Sequence, residues 1–319
     1  MRVLVTGIDG FVGSHLAEFL LTLQGAEIHG TTLIPGNIPN INHIRQSLHL
    51  HQADILDGDR LMGLIDEIKP GRIFHLAGQA FVPSAFADPG ATFQANIMGG
   101  VNLLEAVRVL QAKKGDCPSV LVVSTGEVYG KVDRLPITED FPLVPNNPYA
   151  ASKASLDLIA QQYRNSFNLP VVVVRPFNHA GPRQSPLFVC SDFGKQFAEI
   201  EAGKRKPELH VGNLHTQRDF TDVRDVVKAY WLLLEKDKVG TVFNVCSGQP
   251  LAIESLLATF QEITGLRVTI VSDQQRMRSY DVPVVRGSCD RLKEATGWIP
   301  SIPIRQTLRD VFEYWRATI

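Results

Sequence analysis

The stretch "VLVTGIDGFVGSHLAEFLLTLQG" constrains the fold more than any other. Residues 2–6 read as a buried β-strand, and from Gly13 onward apolar residues recur at helical spacing, with Gly25 placed to end the helix. Gly7, Gly10 and Gly13 fill the turn between strand and helix. Glycine permits a tight turn and lets backbone N–H groups approach a pyrophosphate, whose charge the helix N-terminus stabilises. The context predicts a dinucleotide site contacted by Gly7, Gly10, Phe11, Val12 and Gly13; the bland alternative is a glycine-rich turn without ligand.

The strand–helix alternation repeats. Strands are predicted at 26–31, 48–52, 72–77, 119–124 and 170–175, with helices around 58–68, 92–113 and 149–167. Strands separated by helices imply crossover connections and a parallel sheet covered on both faces, hence an α/β doubly wound fold of Rossmann type. Beyond residue 176 the pattern loosens, with helices predicted at 191–202, 222–235, 253–264, 288–296 and 304–316 and strands at 209–211, 241–245 and 267–271. The expected division is a dinucleotide-binding domain over 1–176, to which segments such as 213–247 return, and a smaller substrate-binding lobe over 177–319.

Composition narrows the partners. The 319 residues carry a net charge of −1 with a pI near 6.8, so no global field recruits nucleic acid or a membrane surface. Cys117, Cys190, Cys246 and Cys289 show no C-x-x-C spacing, which points to reduced thiols and a cytoplasmic chain, not to a disulfide framework or zinc site. His49 and His51 share a strand face, but no second cluster accompanies them and no metal is expected. No apolar run is long enough to cross a bilayer, and "MRVLVTG" enters a strand at once, so no signal peptide is expected.

"YAASK" sets Tyr149 and Lys153 four residues apart, on one face of a helix that Pro148 introduces. A phenol exchanges a proton near neutrality when an ammonium favours the phenolate, and Lys153 is that ammonium; the bland reading is a surface helix pair. Upstream, "STGEVYG" ends the strand at 119–124 with a hydroxyl, Thr125, and a carboxylate, Glu127. Glu127 reads as an active-site carboxylate or as a solvated strand-end residue. At the end of the second strand stand Thr31 and Thr32, with neither a carboxylate to repel a 2′-phosphate nor an Arg to demand one, so NADP(H) and NAD(H) are both allowed. Asp54, beside Ile55, either reaches the adenine or is a loop carboxylate.

Together these segments resemble the extended short-chain dehydrogenases/reductases that modify nucleotide sugars, from Gly7 to near the C-terminus. The resemblance implies a Thr125–Tyr149–Lys153 triad. It also implies cofactor contacts in "HLAGQA" (Leu76, Ala77, Gly78), at Asn96 and at Pro176 in "RPFNHAGPR", together with Thr32, Asp54 and Ile55. Arg218 in "QRDFTDVRDVVKAY" and Arg278 in "RMRSYDVP" correspond to arginines that hold the nucleotide-sugar diphosphate, with Asn178 and Lys195 as further substrate positions. Arginine suits a diphosphate chemically, although each could instead pair with Asp219 or Asp281. Asn178 could equally form an Asx turn, His179 reads as structural, and Trp298 as core. A homodimer through the helices around 96–110 and 149–165 is implied as well.

Within the class the chain is most similar to GDP-mannose 4,6-dehydratases and to the related GDP-4-keto-6-deoxy-D-mannose reductases, through "FNHAGPRQSPLFV" and "VGNLHTQRDF". Dehydratases place an Asp-Glu or Ser-Glu pair after the catalytic Thr, where this chain has Gly126 before Glu127. They also carry paired arginines where Leu33 and Ile34 stand, and a Thr-Arg-Lys in place of Cys190, Ser191 and Asp192. These departures favour the reductase, an oxidoreductase on a GDP-linked 4-keto sugar. The alternatives are a 4,6-dehydratase, a 4-epimerase and a non-enzymatic NAD(P)-sensing protein.

Overall fold

The computed structural model describes residues 1–115, 117–274 and 282–319. Arg278 and Asp281 therefore lie outside the described residues. The central sheet has seven parallel strands, β1 (Arg2–Thr6), β2 (Glu27–Thr32), β3 (His49–Gln52), β4 (Arg72–His75), β5 (Ser119–Val123), β6 (Val171–Pro176) and β10 (Val242–Val245), in the order β10-β6-β5-β4-β1-β2-β3. Three further strands, β7 (Asn178–Ala180), β9 (Gln217–Asp222) and β11 (Pro250–Ala252), make a second sheet. β8 (Glu208–Val211) and β12 (Thr269–Ser272) pair in parallel beside it.

The helices are α1 (Phe11–Leu21), α2 (Gly58–Ile68), α3 (Val82–Ala87), α4 (Pro89–Phe93), α5 (Gly99–Lys114) and α6 (Pro148–Phe167), followed by α7 (Val189–Glu201), α8 (Val223–Glu235), α9 (Ile253–Thr264), α10 (Asp290–Thr296) and α11 (Ile304–Thr318). Successive side chains of a strand point to opposite faces, so Val3 and Val5 join the core under α1 and α8, while Leu4 joins that under α2, α5 and α6. Burial on both faces is why β6 is almost continuously apolar. A third core, with Phe193, Phe197, Phe260 and Phe312, joins α7, α9 and α11.

Several predicted boundaries move. The first helix ends at Leu21 and not at Gly25, because i→i+3 bonds from Thr22 and Leu23 tighten its last turn; Gly25, at φ 71°, then turns the chain into β2. The helix predicted at 92–113 is a composite of α4, a π-helical turn (Gln94–Met98) and α5. β7, β9 and β11 were not expected from the pattern, being short and defined by pairing with one another.

The chain runs outward from β1 through β2 to β3 and then returns to β4 on the other side of β1, which opens a crevice between the carboxyl ends of β1 and β4. Two buried polar clusters brace that end of the sheet. Arg175 on β6 pairs with Asp157 of α6 at 2.8 Å and donates to the Tyr129 hydroxyl at 2.9 Å, which itself donates to Asn244 on β10 at 2.7 Å. The Asp219 carboxylate accepts from the backbone N–H of Ser247, Gly248 and Gly287 at 2.8, 3.0 and 3.1 Å, joining β9 to two loops. Trp298 is buried and donates to the Asp225 carbonyl at 2.9 Å.

Candidate active site

At the mouth of the crevice the chain leaves β1 through Gly7, whose φ of 68° is left-handed and whose missing Cβ would lie 3.0 Å from Ala77 Cα. Gly10 caps α1 and offers no side chain to the first-turn N–H groups. These groups, at Phe11, Val12 and Gly13, are the ones a helix leaves for a partner outside itself. Gly13 packs so tightly on the loop that a Cβ there would come 2.2 Å from the Gly7 carbonyl oxygen.

From this cradle a cavity of about 720 Å³ runs to α6. Its wall includes Gly7, Gly10, Phe11, Val12, Gly13, Leu76, Gly78, Thr125, Glu127, Tyr149, Lys153, Pro176, Asn178 and Arg218. Sequence-predicted positions from six separate segments thus converge. Thr32, Asp54, Ile55, Ala77, Asn96 and Lys195 do not line it. The Thr32 hydroxyl donates to Asp9 Oδ2 at 2.8 Å, Asp54 accepts from Leu56 N–H at 2.9 Å, and the Ile55 side chain packs on Gly99. Ala77 backs Gly7. Lys195 lies on α7, 3.4 Å from Glu199 and over the Trp315 ring.

Asn96 works from behind the wall. It accepts from Gln79 N–H at 2.8 Å and donates to the Gln79 carbonyl at 2.9 Å and to Ser152 Oγ at 2.8 Å. Ser152 is the residue before Lys153, so the π-helical turn that carries Asn96 fixes the loop after β4 against α6.

Asn147 caps α6 by accepting from Ala150 N–H at 2.7 Å. The same side chain donates to Glu127 Oε2 at 2.9 Å, so the carboxylate is tethered to the helix that bears Tyr149 and is not a freely solvated strand-end group. Burial pushes the Tyr149 phenol pKa well above its usual value; the Glu127 charge adds to this and hydrogen bonding to Thr125 opposes it. Burial lowers Lys153 to about 8, and its ammonium donates to the Val123 carbonyl at 2.9 Å. The sequence reading made Lys153 the group that sets the phenol. In the structure burial dominates both, and it holds the phenol in its protonated, donating form.

Gly126 packs closely on Phe177: a Cβ there would lie 3.0 Å from the ring, which also stands 2.8 Å from a Cβ at Gly287, so a side chain at 126 would require the ring to shift by a few tenths of an ångström. His179 stacks on Phe11, with centroids 5.9 Å apart and planes 7° apart, and its Nδ1 contacts the Phe177 carbonyl at 3.0 Å. Arg218 donates to the Gln217 and Val282 carbonyls at 2.9 and 2.7 Å while lining the cavity.

Phe177, Asn147 and Tyr230 escaped the sequence reading, although "NNPY" just before Tyr149 is a legible N-cap signal. Tyr230, fully buried on α8, is among the cavity-lining residues, and its buried hydroxyl has no hydrogen-bond partner among the described residues. An uncapped helix start, a loop that excludes Cβ atoms and an orphaned phenol on one wall suit a dinucleotide carrying a polar ring substituent. Among the described residues no cluster of three or more His, Cys, Asp and Glu side chains is placed to hold a metal ion, and no helix is long and apolar enough to cross a membrane.

Comparison with known proteins agrees with this geometry. GDP-6-deoxy-D-mannose reductase of Pseudomonas aeruginosa is 39% identical over 100% of this chain and 98% of its own length. GDP-mannose 4,6-dehydratase of Homo sapiens is 30% identical over 97% and 89%. The structure of RMD from Pseudomonas aeruginosa complexed with NADPH superposes with a TM-score of 0.86 at 38% identity, covering 100% of this chain and 99% of that one. Thermus thermophilus UDP-glucose 4-epimerase in complex with NAD gives 0.86 at 29% identity, with both chains covered in full. The family model described as GDP-mannose 4,6 dehydratase spans residues 4–311, from β1 into α11, and so takes in the cradle, the catalytic helix and the second sheet alike. The chain therefore belongs to the GDP-mannose 4,6-dehydratase family.

Proposed function

We propose that the chain reduces the C4 ketone of GDP-4-keto-6-deoxy-D-mannose to give GDP-D-rhamnose, with NADH or NADPH as reductant. The observation that carries the reading is geometric: Thr125 and Tyr149 share the cavity wall with a Glu127 whose neighbour at 126 has no side chain. Ketone reduction needs one proton donor, whereas loss of water across C5 and C6 needs a base and help for the departing hydroxyl.

Gly7, Gly10, the first turn of α1 and Lys153 would hold a reduced nicotinamide cofactor, which when bound would supply the hydride for C4. Tyr149 gives its proton to the C4 oxygen as the carbonyl π bond breaks, and Thr125 donates a hydrogen bond to the same oxygen. Lys153 holds the nicotinamide ribose and offers a positive charge near the phenolate left behind. Asn178 and Arg218 meet the sugar and diphosphate from the cavity wall, and the resemblance adds Arg278 to the same substrate. Residues 1–176, with 213–247 returning, act as the cofactor half, and most of 177–319 as the substrate half.

The test is incubation with GDP-4-keto-6-deoxy-D-mannose and either cofactor. GDP-D-rhamnose, identified by NMR, should form in step with cofactor oxidation; absence of reduction with both cofactors overturns the proposal. Glu127→Gln should slow this reduction by less than about tenfold, since a general acid–base group in the transition state contributes about 10²–10⁴-fold and Glu127 is not that group. In the complementary assay, GDP-mannose with an oxidised cofactor should give no 4-keto-6-deoxy product by mass spectrometry; efficient dehydration would make Glu127 a working base.

We further place the enzyme in the cytoplasm as a homodimer. α4, the π-helical turn before α5, and α6 expose Phe93, Met98, Leu158 and Phe167, an apolar set suited to a helical interface. Light scattering should give twice the chain mass under assay conditions, and a monomer mass counts against the dimer.

A further inference from the structure

We propose that Asp9, in the glycine loop, supplies the ribose-binding carboxylate that β2 lacks and turns the site towards NADH and against NADPH. This rests on the nicotinamide-dependent reading above. In doubly wound folds an acidic side chain at the end of the second strand accepts the adenosine ribose hydroxyls, and its charge disfavours a 2′-phosphate. Here β2 ends in Thr31 and Thr32, followed by Leu33 and Ile34, which are 61% and 63% exposed.

The structure brings a carboxylate to that place from another element. The N–H groups of Gly7 and Ile8 donate to the Thr31 carbonyl at 3.2 and 3.3 Å, which binds the glycine loop to the end of β2. Half-buried Asp9 accepts the Thr32 hydroxyl on Oδ2 at 2.8 Å, and its carbonyl accepts from Asn40 Nδ2 at 3.0 Å. The carboxylate is thus held at the strand end through Oδ2, and its backbone through Asn40, with no partner on Oδ1 among the described residues, so that Oδ1 is left for a ribose hydroxyl. A hydroxyl can donate to it. A phosphate at the same position offers only acceptors and like charge.

Few cations stand near in the chain, Arg45 on the 3-10 turn Pro39–Ser47 being the first after β2. No Lys or Arg occurs from Ile28 to Ile44. His43 is bonded to Glu18 at 2.6 Å, and Arg60 donates to the Gln52 carbonyl at 3.3 Å, beyond the end of β3. If Asp9 were only a clip between loop and strand, the two cofactors would bind alike.

The experiment is fluorescence titration of the full-length protein with NADH and NADPH in the absence of sugar. The wild type should bind NADH at least about tenfold more tightly, a discrimination built from one attractive and one repulsive contact. Asp9→Ser keeps a partner for Thr32 and should tighten NADPH at least about fivefold while weakening NADH, so that the preference closes. Competition on the wild-type protein by AMP against 2′-AMP reads the same contact without any variant, and AMP should displace NADH at lower concentration. Equal or tighter binding of NADPH by the wild type, or an equal change for both cofactors in Asp9→Ser, overturns the proposal. Failure to bind either cofactor overturns it together with the reductase reading. Reduction of the keto sugar with no cofactor preference removes the role of Asp9 alone.

Discussion

Tyr149→Phe is expected to lower kcat for the keto sugar by about 10²–10⁴-fold, the contribution of a positioned proton donor. The substitution removes a single oxygen from a cavity wall whose other members hold their places without it: Thr125 is tied to Glu127 N–H at 3.3 Å, and Lys153 to the Val123 carbonyl at 2.9 Å. Affinity for the nicotinamide cofactor should therefore stay within about threefold of wild type, since little binding surface is lost. The burial that raises the phenol pKa favours the neutral group, which suits donation to a forming alkoxide. Steady-state kinetics with direct cofactor titration separate the two effects. Turnover near the wild-type level in Tyr149→Phe would mean that the proton comes from elsewhere, with Glu127 and water as the remaining sources.

What the sequence shows of this site is what local spacing encodes. Tyr149 and Lys153 meet because helical residues four apart share a face, and Gly7, Gly10 and Gly13 mark the cradle because glycine is the residue a crowded turn requires. The parallel sheet is legible because doubly buried strands read as continuous apolar runs between helical segments. The missing parts are contacts between distant segments. Asp9 and Thr32 are 23 positions apart and each is unremarkable alone, so a reading of β2 by itself finds no carboxylate where the fold supplies one. Phe177 over Gly126, and the Tyr230 hydroxyl reaching the cavity from α8, likewise depend on how β5, β6 and α8 pack. Lys195 illustrates the converse: a position assigned by resemblance sits on α7 beside Glu199 and away from the cavity wall.

Gly13→Ala is expected to abolish useful cofactor binding. The added Cβ would stand 2.2 Å from the Gly7 oxygen and 2.8 and 2.9 Å from the Ile8 Cα and carbonyl carbon, all backbone atoms of the loop that the first turn of α1 rests on. No side chain can rotate out of the way, so the loop and the helix start must separate by about an ångström to reach ordinary contact, and the loss of one or two hydrogen bonds to a charged phosphate, about 1.5–3 kcal/mol each, weakens binding about 100-fold. Titration with either nicotinamide cofactor should show at least that loss, and the thermal midpoint of the unliganded protein should fall because the same contact seals the end of β1. Gly63→Ala is the control: it lies mid-helix in α2 with nothing within 4 Å of the new Cβ, and relieving glycine's backbone entropy there should stabilise the protein by about 0.5–1 kcal/mol. Wild-type cofactor affinity in Gly13→Ala would show that the close packing of helix on loop is dispensable, and the first turn of α1 would lose its place as the phosphate site.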